Sequence, residues 1–275
     1  MALPKAKEDA LSARLAALPA LSGKGWLSTA RAEALARLQA MGLPAKRDEY
    51  WRYTDPASLN AVDPAAAKSF NPGDEAPPFD NLDRLKVVFV DGVFDPQASD
   101  DLRAEGIRIE RLGDAAAADI HWAQGLYGVL EAAGQSPVQR PLATLNSAYA
   151  TDGVLIHVTG QATKPVSLIY VHNSDGSDAI LHHCVKLDPG ASLTLLENGP
   201  AAARFNKVLE VDVADGASFH HIRLQGRDHE RRAVTHLFAR LGARSELRSF
   251  TLTANGRLTR NEAVIDLTGP DARAH

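Results

Sequence analysis

The sequence predicts a mainly β protein with a β-helix (β-solenoid) core, whose coils of about 26 residues fall in the range of known repeat periods, preceded by a small helical N-terminal region. Three observations support this prediction. Glycine-alanine pairs recur at a fixed interval in the second half of the chain, apolar residues alternate with polar ones between the pairs, and apolar residues follow a helical spacing near the N-terminus.

The recurring pairs are Gly190-Ala191, Gly216-Ala217 and Gly242-Ala243, which stand at equal intervals, and Gly269 follows Gly242 at almost the same interval. Coils of one length that stack on similar neighbours are the sequence signature of a solenoid. We expect each glycine to supply the unusual backbone angles of a corner. We expect the alanine to fill a place too tight for a larger side chain.

Alignment on these glycines predicts one buried apolar column and one outward, mostly polar column in the strand before each glycine. The buried column contains Val185, Val211 and Leu237, and the outward column contains Cys184, Glu210 and His236.

The N-terminal half divides into shorter elements. Two short helices are predicted from Leu11, Leu15 and Leu18 and from a second leucine series that stops at Gly42-Leu43-Pro44. Strands are predicted at Leu85–Val90, Val93-Phe94 and Ile107–Ile109, a helix over 115–133, and strand and turn from about Pro141 onward. This gives a helical N-terminal region with a linker (1–80), a mixed α/β connecting region (81–140) and a β-helix core (141–275).

Composition excludes several classes of protein. The 275 residues carry a formal net charge of -4 and include no basic stripe that would favour nucleic acid. No stretch approaches the length of a transmembrane helix, and the N-terminus has no apolar signal region, so we expect a cytoplasmic protein. Cys184 is the single cysteine, which excludes an internal disulfide.

Two histidine-containing segments could indicate a metal site. These are His182-His183-Cys184 and His220-His221. A closed site needs four convergent ligands, and the outward column offers no such set, so we expect ordinary surface or corner residues and assign no metal. The sequence contains no phosphate-binding loop and no Gly-x-Ser-x-Gly nucleophile motif, and we assign no catalytic residue.

Three segments resemble the SufB/SufD family, and its SufD branch more than its SufB branch. They are the segment from Gly42 to Thr54, the segment Leu142–Tyr149 followed by Asp152-Gly153, and the glycine-alanine series itself. The residues of this family signature, which could also form an interface, are Arg47, Glu49, Trp51, Arg52, Tyr53, Thr54 and Asn146. For Trp51 and Tyr53 we favour packing on one face of an extended segment over a role in partner binding.

The resemblance implies a non-catalytic scaffold subunit for iron-sulfur cluster assembly and transfer. It implies pairing with a SufB-type subunit through the β-helix and with a SufC-type ATPase through a C-terminal segment beyond the end of this sequence. It also implies that the cluster belongs to the complex and that this chain alone binds no cofactor. Since family members continue further, we expect the chain to be truncated. Two alternatives stay open: a stand-alone β-helix enzyme, and a homomeric interaction module such as a homodimer.

Overall fold

The computed structural model describes residues 3–19, 25–71, 73–74, 76–116, 118–226 and 228–275. Within these ranges the strands form two seven-stranded sheets. Sheet 1 contains β1 (Leu85–Val90), β2 (Val93–Phe94), β6 (Val166–Val171), β8 (Ser192–Asn198), β10 (Ser218–Gly226), β12 (Glu246–Ala254) and β14 (Arg273–Ala274). Sheet 2 contains β3 (Arg103–Ala104), β4 (Ile107–Arg111), β5 (Val154–Val158), β7 (Asp178–Leu187), β9 (Arg204–Val213), β11 (Arg232–Leu241) and β13 (Leu258–Leu267).

Successive coils contribute one strand to each sheet. The order β6-β8-β10-β12-β14 runs through sheet 1 and the order β5-β7-β9-β11-β13 through sheet 2, with parallel pairing throughout. Lumen-facing apolar side chains of both sheets form one continuous core. The predicted β-solenoid is therefore confirmed, with about four turns.

The predicted register is right for the first pair of long coils and wrong for the next. Cys184 pairs with Glu210 as predicted, but Glu210 pairs with Phe238 and not with His236. The buried column shifts equally, so that Val211 pairs with Ala239. The second coil is longer than the first because β10 has nine residues where β8 has seven, which carries the chain further before it turns into β11.

The shift also changes which residues make the corners. Gly190 and Gly216 have left-handed φ values of 74° and 68°, as predicted, but the matching residues of the next coils are Arg244 at 52° and Asp271 at 60°. Gly242 precedes its corner. Gly242 allows two coils to approach each other closely, because a Cβ there would lie 2.9 Å from a backbone nitrogen of the preceding coil. Two glycine columns of different function thus produced one apparent repeat.

The N-terminal strands extend both sheets beyond the first coil. β1 pairs with β6 in parallel, and β4 pairs with β5 in antiparallel orientation. Parallel pairing of β1 and β6 requires a long crossover, and part of the helical layer described next belongs to it.

Helices cover the outer face of sheet 2. They are α1 (Lys5–Ala17), α2 (Trp26–Met41), α3 (Ala57–Asn60), α4 (Leu112–Ala115), α5 (Val129–Ala133) and α6 (Pro141–Tyr149), with 3-10 turns at Glu49–Trp51 and Trp122–Gly125. Leu38 of α2 and Leu145 of α6 join outward side chains of β7, β9 and β11 in a second core. No helix among these is long and apolar enough to cross a membrane.

Two helix predictions are confirmed and two sequence interpretations are wrong. α1 and α2 form where predicted, and Gly42 ends α2 with φ 68°. Among its described residues, the single helix predicted over 115–133 is replaced by the end of α4, a 3-10 turn and α5, and Gly125 and Gly128 separate the last two. The strand and turn predicted from Pro141 begins instead with helix α6, because Pro141 stands at its first turn, where proline is tolerated, and Leu142, Ala143, Leu145 and Ala148 favour a helix.

Candidate functional site

Buried polar clusters lie on both sides of sheet 2. The covered cluster, on the outer face under α6, consists of Tyr127, Asn146, His182, Cys184 and Glu210. All five residues are at most 1% exposed. The expectation that Cys184 and His182 are surface or corner residues is therefore wrong, because the helical layer covers the column that a solenoid alone would expose.

Glu210 is the acceptor at the centre of the covered cluster. Its carboxylate accepts hydrogen bonds from the backbone N–H groups of Gly128 (2.5 Å) and Glu131 (2.7 Å), and its Oε2 lies 2.8 Å from His182 Nε2. These contacts attach α5 and the residue before it to strand β9. A carboxylate under a helical layer is tolerated only when such donors replace water.

Asn146 fixes the other side of the His182 ring. Its amide nitrogen donates to the carbonyl oxygens of Leu181 and Asn206, both at 3.0 Å, so its oxygen faces His182 Nδ1 at 3.0 Å. The His182 ring stacks on Tyr127 with ring centroids 4.0 Å apart. Asn146, a residue of the predicted family signature, thus joins α6 to two adjacent coils.

The ligand atoms of His182, Cys184 and Glu210 lie within 4.8 Å of one another, close enough to consider a metal ion. The chemistry of the set fits a hydrogen-bonded anchor better. Both ring nitrogens of His182 and both oxygens of Glu210 already have partners. Burial, together with the charge of Glu210, raises the pKa of the Cys184 thiol well above its ordinary value, which opposes formation of the thiolate that binds metals.

The luminal cluster faces the interior of the solenoid and consists of Tyr170, His183, Glu197, Lys207 and His221. Glu197 is fully buried and accepts from Lys207 Nζ at 2.6 Å, from His221 Nε2 at 2.7 Å and from the Tyr170 hydroxyl at 2.9 Å. The Tyr170 oxygen lies 3.0 Å from His183 Nε2. Side chains from five strands therefore meet in one network around a single carboxylate.

In this cluster the donor and the acceptor of each hydrogen bond from Val154 to Glu197 can be assigned. Since the N–H of Val154 donates to His183 Nδ1 (3.1 Å), His183 carries its proton on Nε2 and donates to Tyr170, which donates to Glu197. Burial and the nearby Lys207 charge lower the pKa of His183 to about 3, in agreement with a neutral ring.

The charges of Glu197 and Lys207 stabilise each other. Burial alone raises the pKa of Glu197, but Lys207 and His221 hold it well below its ordinary value. Burial lowers the pKa of Lys207 to about 8, and Glu197 limits that fall. Near neutral pH the pair is charged, and it remains closed to solvent.

The signature segment from Gly42 to Thr54 is separate from both clusters, unlike Asn146. Trp51 is 4% exposed and packs under the guanidinium of Arg260, whose Cζ lies 4.1 Å from the ring centroid. Tyr53 is 91% exposed, so the packing of both aromatics on one face is wrong. The reason is that a 3-10 turn replaces the extended segment. Arg47, Glu49 and Arg52 are exposed, and Thr54 is half-buried.

Sequence reasoning missed Glu197 and Lys207. Each occupies a position that the alternation of its strand directs into the lumen, next to apolar residues such as Leu195 and Leu209. The sequence signal that could have revealed them is a pair of opposite charges on successive strands, at positions where the alternation predicts buried apolar residues.

The fold and its two clusters define a helix-covered parallel β-solenoid that holds its polar groups in closed networks. Residues 20–167 match the model of the SufBD protein N-terminal region, and residues 170–275 match that of the SUF system FeS cluster assembly SufBD core domain. The chain belongs to the SufB/SufD family.

A curated relative agrees with this family. The iron-sulfur cluster assembly protein SufD of Escherichia coli (strain K12) is 28% identical over 205 residues, which cover 69% of this chain and 44% of that protein. The chain therefore spans less than half the length of this relative.

Proposed function

We propose that this protein is a non-catalytic scaffold subunit for iron-sulfur cluster assembly. It acts in the cytoplasm, associates with a SufB-type subunit through its β-helix, and joins a complex with a SufC-type ATPase. The observation that carries the proposal is the match of two SufBD family models to nearly the whole chain, in the order of the helical layer and the solenoid. The cluster is cargo of the complex in this proposal.

The closed luminal cluster supports a scaffold over a stand-alone enzyme. Glu197, Lys207 and His183 have the shifted pKa values that are common at active sites. Their polar atoms instead have hydrogen-bond partners within the protein, and the three side chains are buried at 2% exposure or less. A substrate would have to displace these hydrogen bonds to reach them.

The last coil supports association through the β-helix. Phe250 and Leu252 on the outer face of β12 are 57% and 52% exposed, whereas their β10 neighbours Ile222 and Leu224 are less exposed. Neighbouring exposed apolar side chains on one sheet face are typical of a protein interface.

Co-purification tests the proposal. The tagged chain is expressed with the SufB-type and SufC-type proteins of the same genome, and the recovered complex is analysed by size exclusion with light scattering. We expect capture of the SufB-type subunit, loss of capture with a Phe250→Asp, Leu252→Asp variant, and full capture with Val93→Asp. Val93 is a matched control because it is 64% exposed at the opposite end of sheet 1.

Two results would contradict the proposal. If the unchanged chain captures neither protein, the scaffold role is contradicted and the family match describes the fold alone. A concentration-dependent dimer of the chain alone, lost in the Phe250→Asp, Leu252→Asp variant, would instead favour the homomeric module.

A further inference from the structure

Two buried arginines near the last coil have guanidinium donors without partners. Arg223 of β10 is 5% exposed, and Arg231, which precedes β11, is fully buried. Nη2 of Arg223 and both Nε and Nη1 of Arg231 lack a hydrogen-bond acceptor among the described residues. A buried cation with unpaired donors is costly, so a missing acceptor is expected close to them.

Both guanidiniums lie against β13, near one another. Arg223 Nη1 is 3.4 Å from Asn261 Oδ1, and Arg231 Nη2 is 3.5 Å from Thr259 Oγ1. Thr259 and Asn261 are alternate residues of β13, so their side chains lie on the same face of the strand. The positive charge of Arg223 acts on Arg231 directly: burial, followed by this charge, lowers the pKa of Arg231 to about 10.

The nearby carboxylates are already committed. Glu197 accepts from the three donors of the luminal cluster. Asp228 accepts from the backbone N–H of Phe70 at 2.7 Å and contacts the His172 ring. Within the described ranges neither arginine forms an ion pair: Glu197 attracts Arg223 and Asp228 attracts Arg231 only across a distance, without a hydrogen bond.

We propose that Arg223 and Arg231 bind a small inorganic oxyanion of the phosphate and sulfate class, with the amide of Gln225 as a further donor. Gln225 Nε2 is buried and unpaired among the described residues, while its oxygen accepts from Thr253 at 3.3 Å. Arginine donors match the oxygens of such anions in geometry and charge.

The lumen beside the two guanidiniums is lined by small polar side chains, among them Thr235, Thr253 and Asn261. The site is independent of the proposed scaffold role.

Anion titration of the full chain tests this site. Inorganic phosphate and sulfate are added at constant ionic strength against chloride, with the melting temperature and titration calorimetry as readouts. We expect saturable binding and an increased melting temperature, with the dissociation constant raised about tenfold or more in Arg223→Gln and Arg231→Gln. Arg248→Gln, which removes a cation on the exposed outer face of β12, should bind as the unchanged protein does.

A second measurement covers the case in which these variants do not fold. Crystals of the unchanged protein are soaked in tungstate, and an anomalous peak between Arg223 and Arg231 would support the site. Equal melting temperatures in phosphate and chloride, with no peak at this position, would overturn the proposal, because water would then satisfy the free donors.

Discussion

Replacing Glu197 with glutamine should destabilise the protein more than the replacement of an exposed polar residue does. Glu197 is fully buried, and its carboxylate accepts from Lys207, His221 and Tyr170. The glutamine removes the charge that offsets the buried ammonium and leaves one donor group facing other donors. Loss of one partner of a buried ion pair costs about 3–5 kcal/mol, which is a large part of a typical stability of about 5–15 kcal/mol.

Urea denaturation followed by circular dichroism measures this loss. Since replacement of a whole buried pair by uncharged groups is often neutral, Glu197→Gln with Lys207→Met should recover much of the stability lost in Glu197→Gln alone. Glu33→Gln on the exposed face of α2 is the control and should unfold as the unchanged protein does. A loss below about 1 kcal/mol in Glu197→Gln, or a double variant less stable than either single variant, would refute the account of the luminal cluster.

Three further changes test the coil geometry and the buried histidine. Gly153→Ala should lower the free energy of unfolding by about 1–3 kcal/mol or more in urea denaturation, because its Cβ would overlap a carbonyl of β7. Gly176→Ala is the control and should be nearly neutral, since a Cβ there meets no atom within 4 Å. Equal stability of the two variants would contradict the packing of the coils. Arg244→Gly should raise the melting temperature slightly, since φ of 52° at this exposed corner costs a residue with a Cβ about 1 kcal/mol, and a lowered melting temperature would count against the strain. Because burial lowers the pKa of His183 to about 3, the unfolded chain, with a histidine pKa of about 6.5, binds more protons between these pH values. The free energy of unfolding should therefore fall as the pH drops from about 6.5, with about 2–3 kcal/mol lost at pH 4.5. In a series of denaturation curves at different pH values, this loss should be smaller in His183→Gln and unchanged in the exposed His229→Gln. The same dependence of stability on pH in His183→Gln and the unchanged protein would exclude His183 as the cause.

The sequence allowed prediction of the solenoid because coil stacking repeats a local pattern. Val185 and Val211 follow period-2 alternation and a corner glycine, both of which are local signals. The later register failed because Gly242 satisfies close approach between coils and not a corner angle, and one sequence cannot distinguish these two uses of glycine. The greater length of β10 then shifts every later column.

The covered cluster could not be predicted because it depends on a contact between distant segments. Asn146 and His182 stand 36 residues apart and meet only when α6 lies on sheet 2. Outward polar residues of a solenoid are surface residues by default, and the helical layer reverses this expectation for Glu210. Trp51 was correctly expected to pack, whereas the exposure of Tyr53 follows from a short 3-10 turn that alternation does not indicate.

Reconstitution of cluster assembly tests the central claim most directly. The SufB-type and SufC-type proteins receive iron and a sulfide source with ATP, with and without this chain, and bound iron and sulfide are quantified together with visible absorption. The scaffold account predicts that cluster formation rises when the chain is present, and that the chain alone hydrolyses no ATP. Equal cluster formation without the chain, together with its absence from the purified complex, would contradict the account.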